Sequence, residues 1–284
     1  MPKSFYDTFV IRKTKGLNKK ISILGCGWLG LPLAIRLIGN NWTVKGSTTT
    51  PSKIPLLRSH QIDAYLVQLG DNILPYGDFF ESDILLINIP PSLKKQSAEG
   101  YLKQMYALKK QIEQSPVTQV IFISSTSVYP DTNRVISGAN NADSNSALYQ
   151  SEQLFRQSKN FTTTIIRFAG LIGPGRSPAR FFSGKTNIPN GRAPVNLIHL
   201  DDCIGVIESI LNRQHFGQTY HAAAPAHPSR NEFYTHASQA AGLPLPGFID
   251  ELNEWKIIDP DKLINDLNYQ FLHSDLMKLA SGII

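Results

Sequence analysis

Cysteine is scarce: Cys26 and Cys203 are the only two in 284 residues. Two thiols build neither a disulfide framework nor a cysteine-rich metal site, which points to a reducing, cytoplasmic setting. Histidine offers no metal set either. His215, His221 and His227 stand six apart, a spacing that suits no helical ligand pair, and no metal is expected. No apolar run approaches the ~20 residues needed to cross a bilayer. The first twenty residues also lack the apolar core of a secretory signal, which leaves the sequons at Asn41-Trp42-Thr43 and Asn160-Phe161-Thr162 without meaning. Dense Lys/Arg runs are missing as well. The net charge of +6 therefore suggests acidic or phosphorylated small ligands at most, and not nucleic acid. Much of the excess lies in Lys3, Arg12, Lys13, Lys15, Lys19 and Lys20, read as a solvated, flexible leader over residues 1–19.

What is present is an ordinary globular mix, 42% hydrophobic and 18% charged, on a chain long enough for a sizeable core. Short apolar runs at Ile21–Leu24, Thr43–Val44, Ala64–Val67, Asp83–Ile87, Gln119–Ile123 and Thr163–Ile166 read as strands. Helical patterns at Leu29–Ile38, Pro51–Arg58, Ala98–Gln114 and Ala147–Gln157 separate them. This alternation argues for a parallel α/β sheet with helices on both faces, and the unbroken apolarity of the strands agrees. Glycine and proline then become dense from Gly170 to Pro194, as loops around a site would require. A helix over Asp201–Leu211 and a strand over Gln218–His221 return to the sheet. Short helices are expected near Ser229–Ala241, Asp259–Asp266 and Ser274–Ala280.

Gly25-Cys26-Gly27-Trp28-Leu29-Gly30 fits G-x-G-x-x-G, and it follows a strand and opens a helix. In that context the first glycine permits a tight turn, and the second lets backbone approach a pyrophosphate. The third lets helix and strand pack closely, with the phosphates on the helix N-terminus. Leu29 belongs to the same cradle, and Trp28 reads either as a core aromatic or as a shield over the pyrophosphate. A dinucleotide site of this kind usually has an acid about 20 residues on, holding the ribose 2′-hydroxyl. Here the segment from Val44 to Lys53 holds no carboxylate; it offers Ser47, Thr48, Thr49 and Lys53. Hydroxyls and a lysine suit a 2′-phosphate, so NADP is favoured over NAD. The same hydroxyls also suit a helix cap.

Further along come Ser124-Ser125-Thr126-Ser127-Val128-Tyr129, Arg167-Phe168-Ala169-Gly170-Leu171-Ile172-Gly173-Pro174-Gly175-Arg176, Asn196-Leu197-Ile198-His199-Leu200-Asp201-Asp202, and Ala223-Ala224-Pro225-Ala226-His227-Pro228-Ser229-Arg230. In these motifs the chain resembles the extended short-chain dehydrogenase/reductase superfamily, and within it the NAD(P)-dependent sugar epimerase/dehydratase group. It is most similar to the bacterial YeeZ-like proteins, through "GWLG", "SSTSVY" and "NLIHLDD". The likeness runs over nearly the whole chain after residue 20. It implies a Rossmann domain, a doubly wound parallel sheet, over 20–172 with a return segment at about 195–224. A smaller C-terminal substrate lobe would come from 173–194 and 225–284. It also implies a small-molecule substrate, an alcohol or carbonyl such as a sugar nucleotide, and allows a homodimer through two helices of the nucleotide domain.

Sugar-acting members of the superfamily use a Ser or Thr with a Tyr-x-x-x-Lys pair. The resemblance places the hydroxyl on Ser125 and the tyrosine on Tyr149, but position 153 is glutamine. Gln153 can still bond a ribose hydroxyl. Being uncharged, it cannot draw the tyrosine down from its usual pKa of ~10. The chain therefore reads either as an oxidoreductase or epimerase with an incomplete catalytic set, or as a non-catalytic dinucleotide-binding protein. By the same resemblance Asn88, Ile89, Pro90, Ser124, Phe168 and Ala169 line the cofactor. Thr126, Arg176, Arg180, Lys185 and Arg192 face the substrate, the basic residues suiting a diphosphate. His199, Asp201 and Asp202 are expected to be structural, with an aspartate capping the next helix.

Overall fold

The computed structural model describes residues 19–70, 77–91 and 97–279. Apart from Lys19, the basic leader expected over 1–19 lies outside the described residues. In chain order the elements are β1 (Lys20–Leu24), α1 (Gly30–Gly39), β2 (Thr43–Thr48), α2 (Ile54–Ser59), β3 (Asp63–Leu66), β4 (Ile84–Ile87), α3 (Ala98–Glu113) and β5 (Gln119–Ser125). There follow β6 (Arg134–Ile136), α4 (Ala147–Arg156), β7 (Thr162–Phe168), β8 (Gly170–Ile172) and β9 (Leu197–His199). The chain continues through α5 (Leu200–Arg213), β10 (Thr219–Ala222), α6 (Arg230–Ala240), β11 (Lys256–Ile258) and α7 (Asp261–Leu267).

Seven strands form one parallel sheet in the order β3-β2-β1-β4-β5-β7-β10. Strand order reverses between β1 and β4, so a crevice opens there at the carboxyl ends of the strands, where ligands bind in sheets of this kind. This is the doubly wound α/β sheet that the alternation of elements predicts. The central strand β4 is apolar on both faces, all four of its residues being buried, as helices above and below require. Helix α1 turns Gly30, Leu33, Ala34 and Leu37 inward, the spacing of a single helical stripe. Helices α3 and α4 start where Ser97 and Ser146 accept backbone N–H groups of Gly100 and Tyr149, the usual work of an N-cap serine.

Four short strands depart from the sequence reading. β6 pairs with β11, and β8 with β9, each in parallel. Three residues are too few for any apolar alternation to show. Over β8 and β9 lies a second apolar cluster that includes Ile172, Val195, Leu197, Phe233 and Leu276. The helix expected over 51–58 begins as a 3-10 turn, Pro51–Lys53, before α2. The one expected near 274–280 is a 3-10 turn over Leu276–Lys278. Among the described residues no helix is long and apolar enough to cross a membrane.

Candidate cofactor site

The glycine loop is locked into the sheet by its neighbours. Gly25 has φ +106°, and a side chain there would meet the Asn88 carbonyl oxygen at 2.6 Å. Gly30 is tighter still: a Cβ would stand 2.2 Å from the Gly25 oxygen. The loop is tied down by Gly25 N–H donating to Ser47 Oγ (2.9 Å), Cys26 N–H to the Ser47 carbonyl (2.8 Å), and Asn88 Nδ2 to the Gly25 carbonyl (3.0 Å). Gly27 is different, since nothing lies within 4 Å of where its Cβ would be. No side chain caps α1. Leu31 N–H turns back to the Gly27 carbonyl (3.1 Å) and Pro32 has none to give, so the helix offers an anion its dipole at the glycine loop more than a row of open amides. Burial pushes the Cys26 thiol up to about 12, only partly opposed by its hydrogen bond with the Ser47 backbone. It is a packing residue and no nucleophile.

Two contiguous clefts open from this loop, each of about 380 Å³. The first runs from Gly25 and Gly27 past Ser47, Thr48, Thr49 and Lys53 to Asn88, Ile89 and Pro90. Within it Ser47 is spent on the loop, and Thr48 Oγ1 accepts Thr50 N–H at 3.1 Å; Thr49 and Lys53 are exposed. The second continues from Gly27, Trp28 and Leu29 across Asn88, Ile89 and Pro90 to Ser124, Ser125, Leu148 and Arg176. Trp28 is not a core residue. It is half-buried at the lip of this cleft, its indole N–H donating to the Pro174 carbonyl (2.7 Å) and the Arg176 guanidinium lying 4.3 Å over its ring. A further hollow of about 770 Å³ holds Arg176 and Arg180 beside Leu171 and Phe181.

No model of an established protein family matches the chain. Protein YeeZ from Escherichia coli (strain K12) is 36% identical over 267 residues, covering 90% of this chain and 97% of that protein. The chain belongs to the YeeZ family. Among solved structures, a functionally unknown conserved protein from Silicibacter pomeroyi DSS superposes with a TM-score of 0.73 at 20% identity, covering 91% of this chain and 95% of its own. UDP-glucuronic acid 4-epimerase from Bacillus cereus, in complex with NAD, gives 0.73 at 17%, with 93% and 97% covered. Human epimerase family protein SDR39U1 with NADPH gives 0.66 at 13%, with 91% and 96% covered. At such identities the likeness is one of fold.

In this YeeZ-family chain Tyr149 and Gln153 do not meet the cofactor cleft. Both line a separate groove of about 1020 Å³ between α3 and α4, with Tyr106 and Gln150. The reason is helical phase: the inward stripe of α4 is Ala147, Leu148, Ser151, Glu152 and Phe155, which leaves Tyr149 half-buried at its edge, its ring 5.8 Å from the Arg167 guanidinium. Leu148 lines the cleft instead, and Glu152, four residues on, lies buried behind Ser124. Glu152 is a residue that sequence reasoning missed. It is fully buried and accepts from Ser124 Oγ (2.5 Å), Arg167 Nε (2.9 Å) and Arg167 Nη2 (2.5 Å). Burial works against the Arg167 charge, but the Glu152 hydrogen bonds and charge outweigh it and hold Arg167 above its ordinary pKa. Arg167 also donates to the Tyr129 hydroxyl and to the Ala139 carbonyl (3.1 Å). The Tyr129 hydroxyl in turn lies 2.7 Å from His221 Nε2. In strand register Ser124 and His221 flank Arg167 from either side.

Burial, reinforced by the Arg167 charge, pushes the His221 pKa down to about 4. The folded protein refuses a proton that the unfolded chain accepts near pH 6.5. Its contribution is therefore complete above about pH 6.5 and is lost as pH falls towards 4. In His221→Gln the decline in Tm between pH 6.5 and 4.5 should be shallower than in the wild type, as thermal melts across that range would show.

The remaining expected residues scatter. Phe168 and Ala169 are core residues, 2% and 5% exposed, and Thr126 is buried in the turn after β5. Lys185 lies 5.6 Å over the Phe182 ring, and Arg192 is exposed beside Asp250. The cap of α5 is His199, not an aspartate: its Nδ1 accepts Asp201 N–H at 3.2 Å. Asp202 is buried and accepts from Tyr269 Oη and from the amides of Leu272 and His273. His199, Asp201 and His273 bring ligand atoms within 4.8 Å of one another; His199 Nδ1 caps the helix, while its buried Nε2 has no hydrogen-bond partner among the described residues.

Proposed function

We propose that the chain binds a nicotinamide dinucleotide, NADP in preference to NAD. We propose further that it is an oxidoreductase or epimerase acting on an alcohol or carbonyl substrate of the sugar-nucleotide kind. One observation carries the reading: the glycine loop stands at the N-terminus of α1, which no side chain caps, and clefts lead away from it on both sides. The open space at Gly27 and the strict exclusion of a side chain at Gly30 fit a pyrophosphate lying over the loop. Thr49 and Lys53 would hold a 2′-phosphate at one end, while Ser124, Ser125 and Arg176 would face the nicotinamide and substrate at the other. When bound, the dinucleotide supplies the hydride chemistry. The residues supply binding, orientation and exclusion of water.

Solved neighbours support this in kind. They include the NAD complex of the Bacillus cereus epimerase, MoeE5 in complex with UDP-glucose and NAD, and the human protein with NADPH. The displacement of Tyr149 favours a second reading, a dinucleotide-binding protein that performs no turnover. A homodimer through the α3–α4 face, where Tyr106 is 54% exposed, and a reducing cytoplasm suited to two buried free thiols complete the proposal.

Calorimetric titration with NADPH and NADH is the test. NADPH should bind the tighter, and Lys53→Glu should remove at least about tenfold of that preference by opposing a 2′-phosphate with like charge. Failure of both to bind below about 1 mM would overturn the cofactor reading. A clear preference for NADH would overturn its NADP part.

A further inference from the structure

The buried Glu152–Arg167 pair meets the cleft at Ser124, which lines it and hydrogen-bonds to Glu152. The Arg167 guanidinium covers both carboxylate oxygens of Glu152, and Ser124 Oγ lies 2.5 Å from Oε1. A carboxylate gripped by a guanidinium fork offers only lone pairs. The hydrogen between Ser124 and Glu152 therefore comes from Ser124. A serine has one hydroxyl proton, and here it points into the protein, so Ser124 shows the cleft nothing but lone pairs. Its neighbour Ser125 is in the opposite condition: its oxygen accepts Ser127 N–H at 3.1 Å, leaving its proton free to donate.

We infer that Glu152, backed by Arg167, is a positioning residue that fixes Ser124 as an obligatory hydrogen-bond acceptor. The donor it selects is the carboxamide NH2 of a nicotinamide. The inference rests on the dinucleotide reading above and deepens it. β5 lies two strands from β1 across β4, about 10 Å at ordinary strand spacing. A ligand anchored by phosphate at the glycine loop can span that distance with one nucleoside. A ring carried to the end of that span would come beside Ser124, whose acceptor oxygen would welcome an amide NH2 and repel a carboxylate. The device differs from a plain serine contact. A freely rotating hydroxyl would serve donor and acceptor alike, and selectivity here comes from two groups that never touch the ligand.

The test is calorimetric titration of the full chain with NADP+ and with its acid counterpart, nicotinic acid adenine dinucleotide phosphate, in the absence of substrate. The amide form should bind at least about tenfold more tightly. Ser124→Ala leaves the Glu152–Arg167 fork whole, so its melting temperature should stay near that of the wild type. Its preference for the amide form should fall at least about fivefold below the wild-type ratio. Ser124→Thr should restore the wild-type ratio. In Glu152→Gln the side-chain amide can donate to Ser124 and free its proton outward, and the ratio should move towards the acid form. Equal ratios in the wild type and Ser124→Ala would overturn the inference while leaving dinucleotide binding intact. Failure of both forms to bind any variant would overturn the dinucleotide reading itself, and this inference with it.

Discussion

Gly30→Ala is expected to abolish measurable dinucleotide binding and to weaken the fold at the same time. The added methyl group would lie 2.2 Å from the Gly25 carbonyl oxygen and 3.1 Å from Asn88 Nδ2. The first of these is backbone and cannot swing aside. Relief must come from moving α1 off β1, which disturbs the Gly25 carbonyl and its bond to Asn88. Overpacking of this kind costs about 1–3 kcal/mol or more, visible as a lower midpoint in urea. Binding should fall further, by at least about a hundredfold, because the displaced atoms are the cradle itself. Gly27→Ala is the control that separates the two effects. Its methyl enters open space, so stability should change by less than about 0.5 kcal/mol, while affinity drops because that space is the cleft.

Removing one partner of the buried ion pair should be the most damaging change to stability. Arg167→Met strips Glu152 of its counter-charge in a fully buried site and removes the donor that the Ala139 carbonyl and the Tyr129 hydroxyl share, leaving the hydroxyl its bonds to His221 and Gly138. An uncompensated buried charge costs about 3–5 kcal/mol. The double variant Glu152→Leu with Arg167→Met removes both charges and should recover much of that loss. Urea unfolding of both singles and the double would give the coupling directly. Losses that simply add would show that the pair is not the interacting unit described above.

The sheet was legible in the sequence because β1, β4 and β5 are largely apolar and α1, α3, α4 and α5 each separate two of its strands. Gly25 and Gly30 were legible for a sharper reason: packing forbids any side chain there, so the sequence has no alternative. Tyr149 lines the α3–α4 groove and not the cleft that holds Ser125, because a distance counted along the chain through the segment between them does not preserve helical phase. The correcting signal was present, in the run Leu148, Ser151, Glu152 and Phe155 at spacings of three and four. It was obscured by its polar members, since a glutamate on a helix is ordinarily solvated. The arginine within the otherwise uncharged β7, Thr162–Phe168, was the companion clue: a charge in a central strand demands a buried partner. The three-residue strands left no trace, because so short an element has no period to read.

Trp28 has one more consequence. Of the three tryptophans in the chain, Trp42 is 6% exposed and Trp255 lies just before β11, remote in sequence from the glycine loop. Trp28 alone joins the floor of the cleft to its roof, with its indole N–H on Pro174 and a guanidinium on its face. Its excited state is therefore coupled to the very contacts that an incoming ligand must rearrange. The protein carries a fluorescent probe of its own at the mouth of its cofactor site, and occupancy of that site can be followed without any label.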